Sequence, residues 1–241
     1  MCTVTFIARR KGYALGMNRD EKLARITGLP PARHRLGNRD AVFPSEPTGG
    51  TWVGVNDSGV SFALINWYSV PNRVIGPTVS RGEVVKLALS FNLASEVAPA
   101  LAQWTMASVN PFRLVGIFPA QEIAVEWRWD LQRLEILEHP WRSNTWISSG
   151  FDEPGAQQTR GKAFHEAFHC CSIGNVSSLL QLHRSHGPER GPYSTCMHRA
   201  DAATVSYTEL HVSHHAATMR YVPGAPCSTS ALPALCLQLH R

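Results

Sequence analysis

The opening of the chain constrains it most. Residues 3–9 and 13–17 are β-rich and flank Lys11-Gly12, so they read as a hairpin. A cysteine at position 2 leads into it, and Asn18-Arg19-Asp20-Glu21 closes it. Initiator methionine is trimmed when the next side chain is small, as cysteine is. Trimming gives Cys2 a thiol and a free α-amine on one residue. Both titrate near neutrality, at about 8.5 and about 7.7–8.0, so the amine can take the thiol proton. One residue then supplies nucleophile and base. The plainer reading is a small apolar residue at a strand start.

A chain of 241 residues can bury a sizeable core. The net charge of +5 is spread out, with Arg9-Arg10-Lys11 at a turn and Arg33 and Arg35 in a loop, which argues against nucleic acid as a partner. Those three basic residues follow only a short apolar strand, so no signal peptide is expected. No run of 18 apolar residues is present, and no membrane span is expected. Six cysteines without a CxxC pair suit reduced thiols and a cytoplasmic location.

Further along, prolines and glycines punctuate residues 26–50, which read as irregular. Residues 51–55 and 60–65 form a second hairpin around Asn56-Asp57-Ser58-Gly59, ending at Asn66. Ser80-Arg81-Gly82-Glu83 fits a capping box: Ser80 caps the amide three residues on and Glu83 returns the bond. A helix follows, with another near 94–104. Residues 112–118, 122–129 and 133–138 read as strands, Arg160–Cys171 and Val176–Ser185 as helices, and 202–212 and 218–222 as closing strands. No repeat or linker intervenes, so 1–241 reads as one domain. The fold class is α+β, two antiparallel sheets stacked between helical layers.

Three sets of side chains carry chemistry. Arg19 can meet a substrate anion and Asp20 can hold the α-ammonium of Cys2. Asn66, at a strand end, can donate an N–H to an oxyanion. Trp52, Trp67 and Tyr68 either wall an apolar pocket or pack as core. His165-Glu166-Ala167-Phe168-His169 spells H-E-x-x-H, a zinc-hydrolase pattern with His183, His186 or Cys170 as third ligand. Among eleven histidines the match also fits a helix with two surface imidazoles.

Met1-Cys2-Thr3, Asn18-Arg19-Asp20-Glu21, Gly49-Gly50-Thr51-Trp52-Val53-Gly54-Val55-Asn56, Ser80-Arg81-Gly82-Glu83, Asn110-Pro111-Phe112 and Ser194-Thr195-Cys196-Met197-His198-Arg199 occur in one order. This ordered set resembles the NRDE, or transport-and-Golgi-organisation, family. That family is similar to N-terminal-nucleophile (Ntn) hydrolases of the penicillin V acylase, bile salt hydrolase and isopenicillin N acyltransferase type. The resemblance implies a four-layer αββα sandwich and a cysteine hydrolase or acyltransferase acting on linear N-acyl amides. It implies Cys2 as nucleophile, Asp20 at the first hairpin's end, and Asn66 in the oxyanion hole. Two departures stand out: the arginine is displaced by two positions, and Ser149 stands where those acylases carry a second asparagine. The expected substrate-binding set is Asn18, Trp52, Trp67 and Ser149. No cofactor is required. A second reading keeps the scaffold as a binding module for haem or an acyl chain, with Met17, Cys196 or His198 as contacts.

Overall fold

A computed structural model describes residues 2–169 and 176–240. The chain opens with β1 (Cys2–Arg9), β2 (Gly12–Lys22), β3 (Leu29–Leu36), β4 (Arg39–Ser45), β5 (Val53–Asn56) and β6 (Ser61–Asn66). Two helices follow, α1 (Arg81–Ala88) and α2 (Ala94–Ala102). Then come β7 (Phe112–Phe118), β8 (Ile123–Trp129), β9 (Leu134–Pro140) and β10 (Asn144–Ser148). After α3 (Glu153–His169) and α4 (Val176–Arg184), the chain ends with β11 (Ala202–Val212), β12 (Ala216–Val222) and β13 (Leu235–Gln238).

The strands form two antiparallel sheets, ordered β10-β1-β2-β11-β12-β13 and β3-β4-β5-β6-β7-β8-β9. Two-residue alternation decides what each face buries. Cys2, Val4 and Phe6 of β1 and Tyr13, Leu15 and Met17 of β2 face the other sheet, meeting Val53, Val55, Ala63 and Ile65. The opposite faces take the helices. Ile7 and Ala14 pack under Phe164, Leu179 and Leu182 of α3 and α4. Phe62, Leu64 and Trp127 pack under Val84, Val85 and Val97 of α1 and α2. The result is four layers, helix-sheet-sheet-helix.

Gly16 on β2 is what lets α4 approach. A Cβ there would lie 2.9 Å from the His183 ring and 3.0 Å from Leu179. The bond from Asn18 Nδ2 to the His183 carbonyl, at 2.9 Å, fixes the same contact.

The stretch 26–50 is largely strand, not irregular loop. β3 and β4 occupy it, turning at Gly37 with φ +58°. Pro30 and Pro31 fit because β3 is an edge strand, and the β3–β4 pairing shifts register between Leu29 and Ala32. β10 and β13 were not evident from sequence, and α3 begins at Glu153, seven residues before the expected Arg160. Cys170 and Cys171, expected at its end, lie outside the described residues. The capping box is half made. Ser80 Oγ accepts from the Gly82 amide at 3.2 Å, while Glu83 pairs with Lys86 at 2.9 Å. Among the described residues no helix is long and apolar enough to cross a membrane.

Candidate active site

A cavity of about 340 Å³ opens at the end of the inter-sheet core. Most of its wall comes from five segments: the start of β1 with Cys2, the end of β2 with Arg19 to Glu21, the loop from Glu46 to Trp52, the end of β6 with Leu64 and Asn66, and the approach to and first turn of α1 with Thr78 to Gly82; Arg25 and Asn110 complete it. Antiparallel pairing sets Cys2 opposite Arg19 on one side and Ser148 on the other.

Cys2 keeps 8 % of its surface exposed, toward this cavity. Burial pushes its thiol above the ordinary range, and the Asp20 carboxylate pushes the same way. The Asp20 backbone N–H, which bonds the sulfur, and the Arg19 guanidinium pull partly back. The resting sulfur is therefore a thiol that needs a base.

Asp20 meets Cys2 through its backbone, while its carboxylate leaves β2 on the helix side. There it accepts from Thr204 Oγ1 at 2.6 Å and from Arg160 Nη1 at 3.0 Å. Arg160 also donates to Thr3 Oγ1 at 2.8 Å and to the Pro192 carbonyl at 3.2 Å. Both side chains of the Asp20–Arg160 ion pair are fully buried. Opposite them, the β2–β11 register slips between Thr204 and Ser206, a bulge that aims Thr204 at the carboxylate.

Arg19 is expected to meet a substrate anion, but its charge is already matched. Its Nη2 sits 2.7 Å from Glu46 Oε1, and its guanidinium stacks 4.4 Å from the Trp52 ring centroid. Arg25 lies 2.7 Å from Glu21 and 2.9 Å from Glu46. Arg81 differs. Its Nη1 donates to the Pro111 carbonyl at 3.2 Å, and among the described residues no carboxylate stands within ion-pairing distance. Burial lowers its basicity, which leaves it the least compensated cation of the wall. In the sequence Arg81 stands out only within Ser80-Arg81-Gly82-Glu83, as part of a helix cap and of the family motif, with no role of its own. Its position one residue after that cap, on the first helical turn, was the available signal.

Asn66 donates one amide hydrogen to the Tyr68 hydroxyl at 2.8 Å. Its amide thus has a fixed orientation beside the cavity and a second hydrogen to offer. Of the expected substrate contacts, Trp52 lines this cavity and the other three are placed differently. Asn18 is fully buried on the helix side, donating to the carbonyls of His183 and Thr195 at 2.9 and 2.8 Å. Trp67 borders a different cavity, with Arg113, Trp146 and His165. The Ser149 hydroxyl accepts from the amides of Phe151 and Asp152 at 3.3 and 3.4 Å, holding the turn into α3. Strand alternation places Asn18 on the face away from Cys2, whereas Trp67 and Ser149 lie one residue past the ends of β6 and β10.

The three expected haem contacts are not brought together. Met17 is sealed in the inter-sheet core, while Cys196 and His198 lie by the end of α4 on the other side of the sheet. In the H-E-x-x-H helix, exposed Glu166 faces Lys162 at 3.8 Å and His165 packs beside Phe164. The side chain of His169 lies outside the described residues.

Residues 1–161, the span that contributes Cys2, Arg19, Asp20, Asn66, Arg81 and Arg160 to this arrangement, match the model of the Transport and Golgi organisation 2 family. The chain belongs to that family. No curated sequence matches it. Among solved structures, penicillin V acylase from Agrobacterium tumefaciens is similar at 12 % identity, covering 92 % of this chain and 83 % of that one, with a TM-score of 0.53. The C2A mutant of conjugated bile acid hydrolase from Clostridium perfringens is similar at 10 % identity, covering 99 % and 97 %, with a TM-score of 0.49. This Transport and Golgi organisation 2 protein therefore has the Ntn-hydrolase fold, two antiparallel sheets between helical layers.

Proposed function

We propose that the protein is a cysteine hydrolase or acyltransferase acting on small N-acyl amides that carry a negative charge. The observation that carries the reading is the cavity itself, in which Cys2, an oriented Asn66 amide and Arg81 line one space. Arg81 holds the substrate's anionic group, and Trp52 covers an apolar portion.

Once Met1 is removed, the Cys2 α-amine accepts the thiol proton and the sulfur attacks the amide carbon. The oxyanion takes the free N–H of Asn66, the type of contact worth roughly 3–4 kcal/mol when preorganised. Collapse breaks the C–N bond. The α-ammonium returns its proton to the departing amine, leaving a thioester on Cys2. Water or a second amine then attacks that thioester and releases the acyl group. The buried Asp20–Arg160 pair holds the end of β2, and so the Asp20 amide, against the sulfur.

The test is a hydrolysis screen of anionic and neutral N-acyl amides, after intact mass has established loss of Met1. Turnover that vanishes in Cys2→Ala, and a single acyl adduct on Cys2, support the reading. Undiminished turnover in Cys2→Ala overturns it, as does a mature chain that quantitatively retains Met1.

A further inference from the structure

Beyond the end of α4, and outside residues 1–161, four soft-ligand side chains from three separate segments converge. His186 follows α4, Cys196 and His198 lie on the segment leading to β11, and Cys227 follows β12. Their ligand atoms all lie within 4.8 Å of one another. His198 Nε2 is the centre of the group: 3.1 Å from His186 Nε2, 3.5 Å from Cys227 Sγ and 3.6 Å from Cys196 Sγ.

Hydrogen bonding does not account for this. A neutral imidazole Nε2 has one hydrogen or one lone pair, so it satisfies one of three facing partners. A shared cation accounts for all of them. With zinc bonds of about 2.3 Å to sulfur and about 2.0–2.1 Å to nitrogen, tetrahedral geometry puts neighbouring ligand atoms about 3.3–3.8 Å apart. The three separations from His198 fall at or just below that window, and the remaining pairs lie within 4.8 Å. We propose that His186, Cys196, His198 and Cys227 form a Cys2His2 zinc site, with both histidines binding through Nε2. Four protein ligands complete the shell, so the site is structural and leaves no position for substrate.

The surrounding backbone is already fixed. The Cys196 amide donates to the Ser185 carbonyl at 3.0 Å, its carbonyl accepts from Ser194 Oγ at 2.7 Å, and the His198 amide donates to the Gly191 carbonyl at 3.2 Å. Arg190 Nη2, 3.4 Å from His198 Nδ1 at the exposed edge, must turn away, because an Nε2 ligand keeps its proton on Nδ1. Between Cys196 and His198, the Met197 amide donates to Thr204 Oγ1 at 2.8 Å, and that same hydroxyl donates to Asp20. The metal therefore ties the last segments of the chain to the back of the Cys2 cavity. This inference does not depend on the proposed reaction.

The test is metal analysis of the full chain purified under reducing conditions, followed by replacement with cobalt(II). About one zinc per chain is expected, and the cobalt form should show thiolate-to-cobalt charge-transfer bands with tetrahedral d–d bands. Half-exposed Cys227 is the mildest change, so Cys227→Ser should fold yet lose the metal to a chelator that leaves the wild type loaded. Wild-type protein that takes up neither metal overturns the proposal. So does a Cys227→Ser chain that retains the thiolate–cobalt spectrum at full strength, or a Cys196–Cys227 disulfide formed under reducing conditions.

Discussion

Cys2 is buried at the edge of one cavity, and its burial has a measurable consequence. Because the thiol is pushed up, the thiolate appears at higher pH than in a free cysteine, where half-ionisation falls at about 8.5. Labelling of Cys2 by a small neutral alkylating agent should level off at higher pH than labelling of a free cysteine run alongside, as followed by intact mass. A plateau at the same pH contradicts the burial. Arg81→Gln should raise KM for anionic substrates about 10- to 100-fold with little change for neutral ones, the size of a lost hydrogen bond to a charged group. The buried Asp20–Arg160 pair gives a third expectation. Arg160→Met should cost about 3–5 kcal/mol in urea unfolding, because it strands a buried carboxylate. Adding Asp20→Asn should recover part of that loss. At this scale the sequence pointed to Cys2, Asp20 and Asn66, which all line one cavity, but the Asp20 carboxylate expected to hold the α-ammonium instead pairs with Arg160 and Thr204. The sequence was a poor guide to Arg160, since nothing local distinguishes a buried arginine from a solvated one, and to Arg81, whose place on the first turn of α1 does not show that it lacks a carboxylate partner among the described residues.

Elements meet at the site through their smallest residues. A Cβ on Gly82 would lie 2.6 Å from the Thr51 amide and 2.7 Å from Gly50 Cα, so the first turn of α1 rests directly on the 50–52 loop. Gly82→Ala must displace one from the other. A loss of about 1–3 kcal/mol in thermal or urea unfolding is expected, with a larger fractional loss of turnover because both segments line the cavity. Gly49-Gly50 and Ser80-Arg81-Gly82 were visible as turn and cap signals, but their mutual contact was not, because thirty residues separate them. The hairpins were legible from alternation and turn chemistry. The β3–β4 pair was hidden by prolines that an edge strand tolerates, and β10 and β13 by their shortness.

Across the whole molecule, the helical layer over the six-stranded sheet carries an acid liability. Burial pulls His183 down to about 3, and Glu209 and Arg160 act in opposite directions on it. A histidine that is neutral when folded and takes a proton at about 6.5 when unfolded contributes stability above that pH. The contribution fades as pH falls from about 6.5 toward 3, by roughly 1 kcal/mol per pH unit. His183→Asn should start from lower stability at pH 7 and lose less between pH 6 and pH 4, as measured by urea midpoints across that range. Equal acid slopes in both proteins rule this out. The four-layer architecture was legible from the order of strands and helices, which calls for two antiparallel sheets between helical layers, and the resemblance of the ordered motifs to a known family implies the same sandwich. The His186–Cys227 cluster was not, since its members are scattered over three segments that only the folded sheet gathers. Sheet order also imposes a schedule on synthesis. The flank of β2 away from β1 is filled by β11, encoded in the last sixth of the chain. Until the ribosome has delivered that strand, the hairpin that begins with Cys2 has an unpaired edge and Asp20 lacks Thr204, so the end of β2 sets only when the chain is nearly complete.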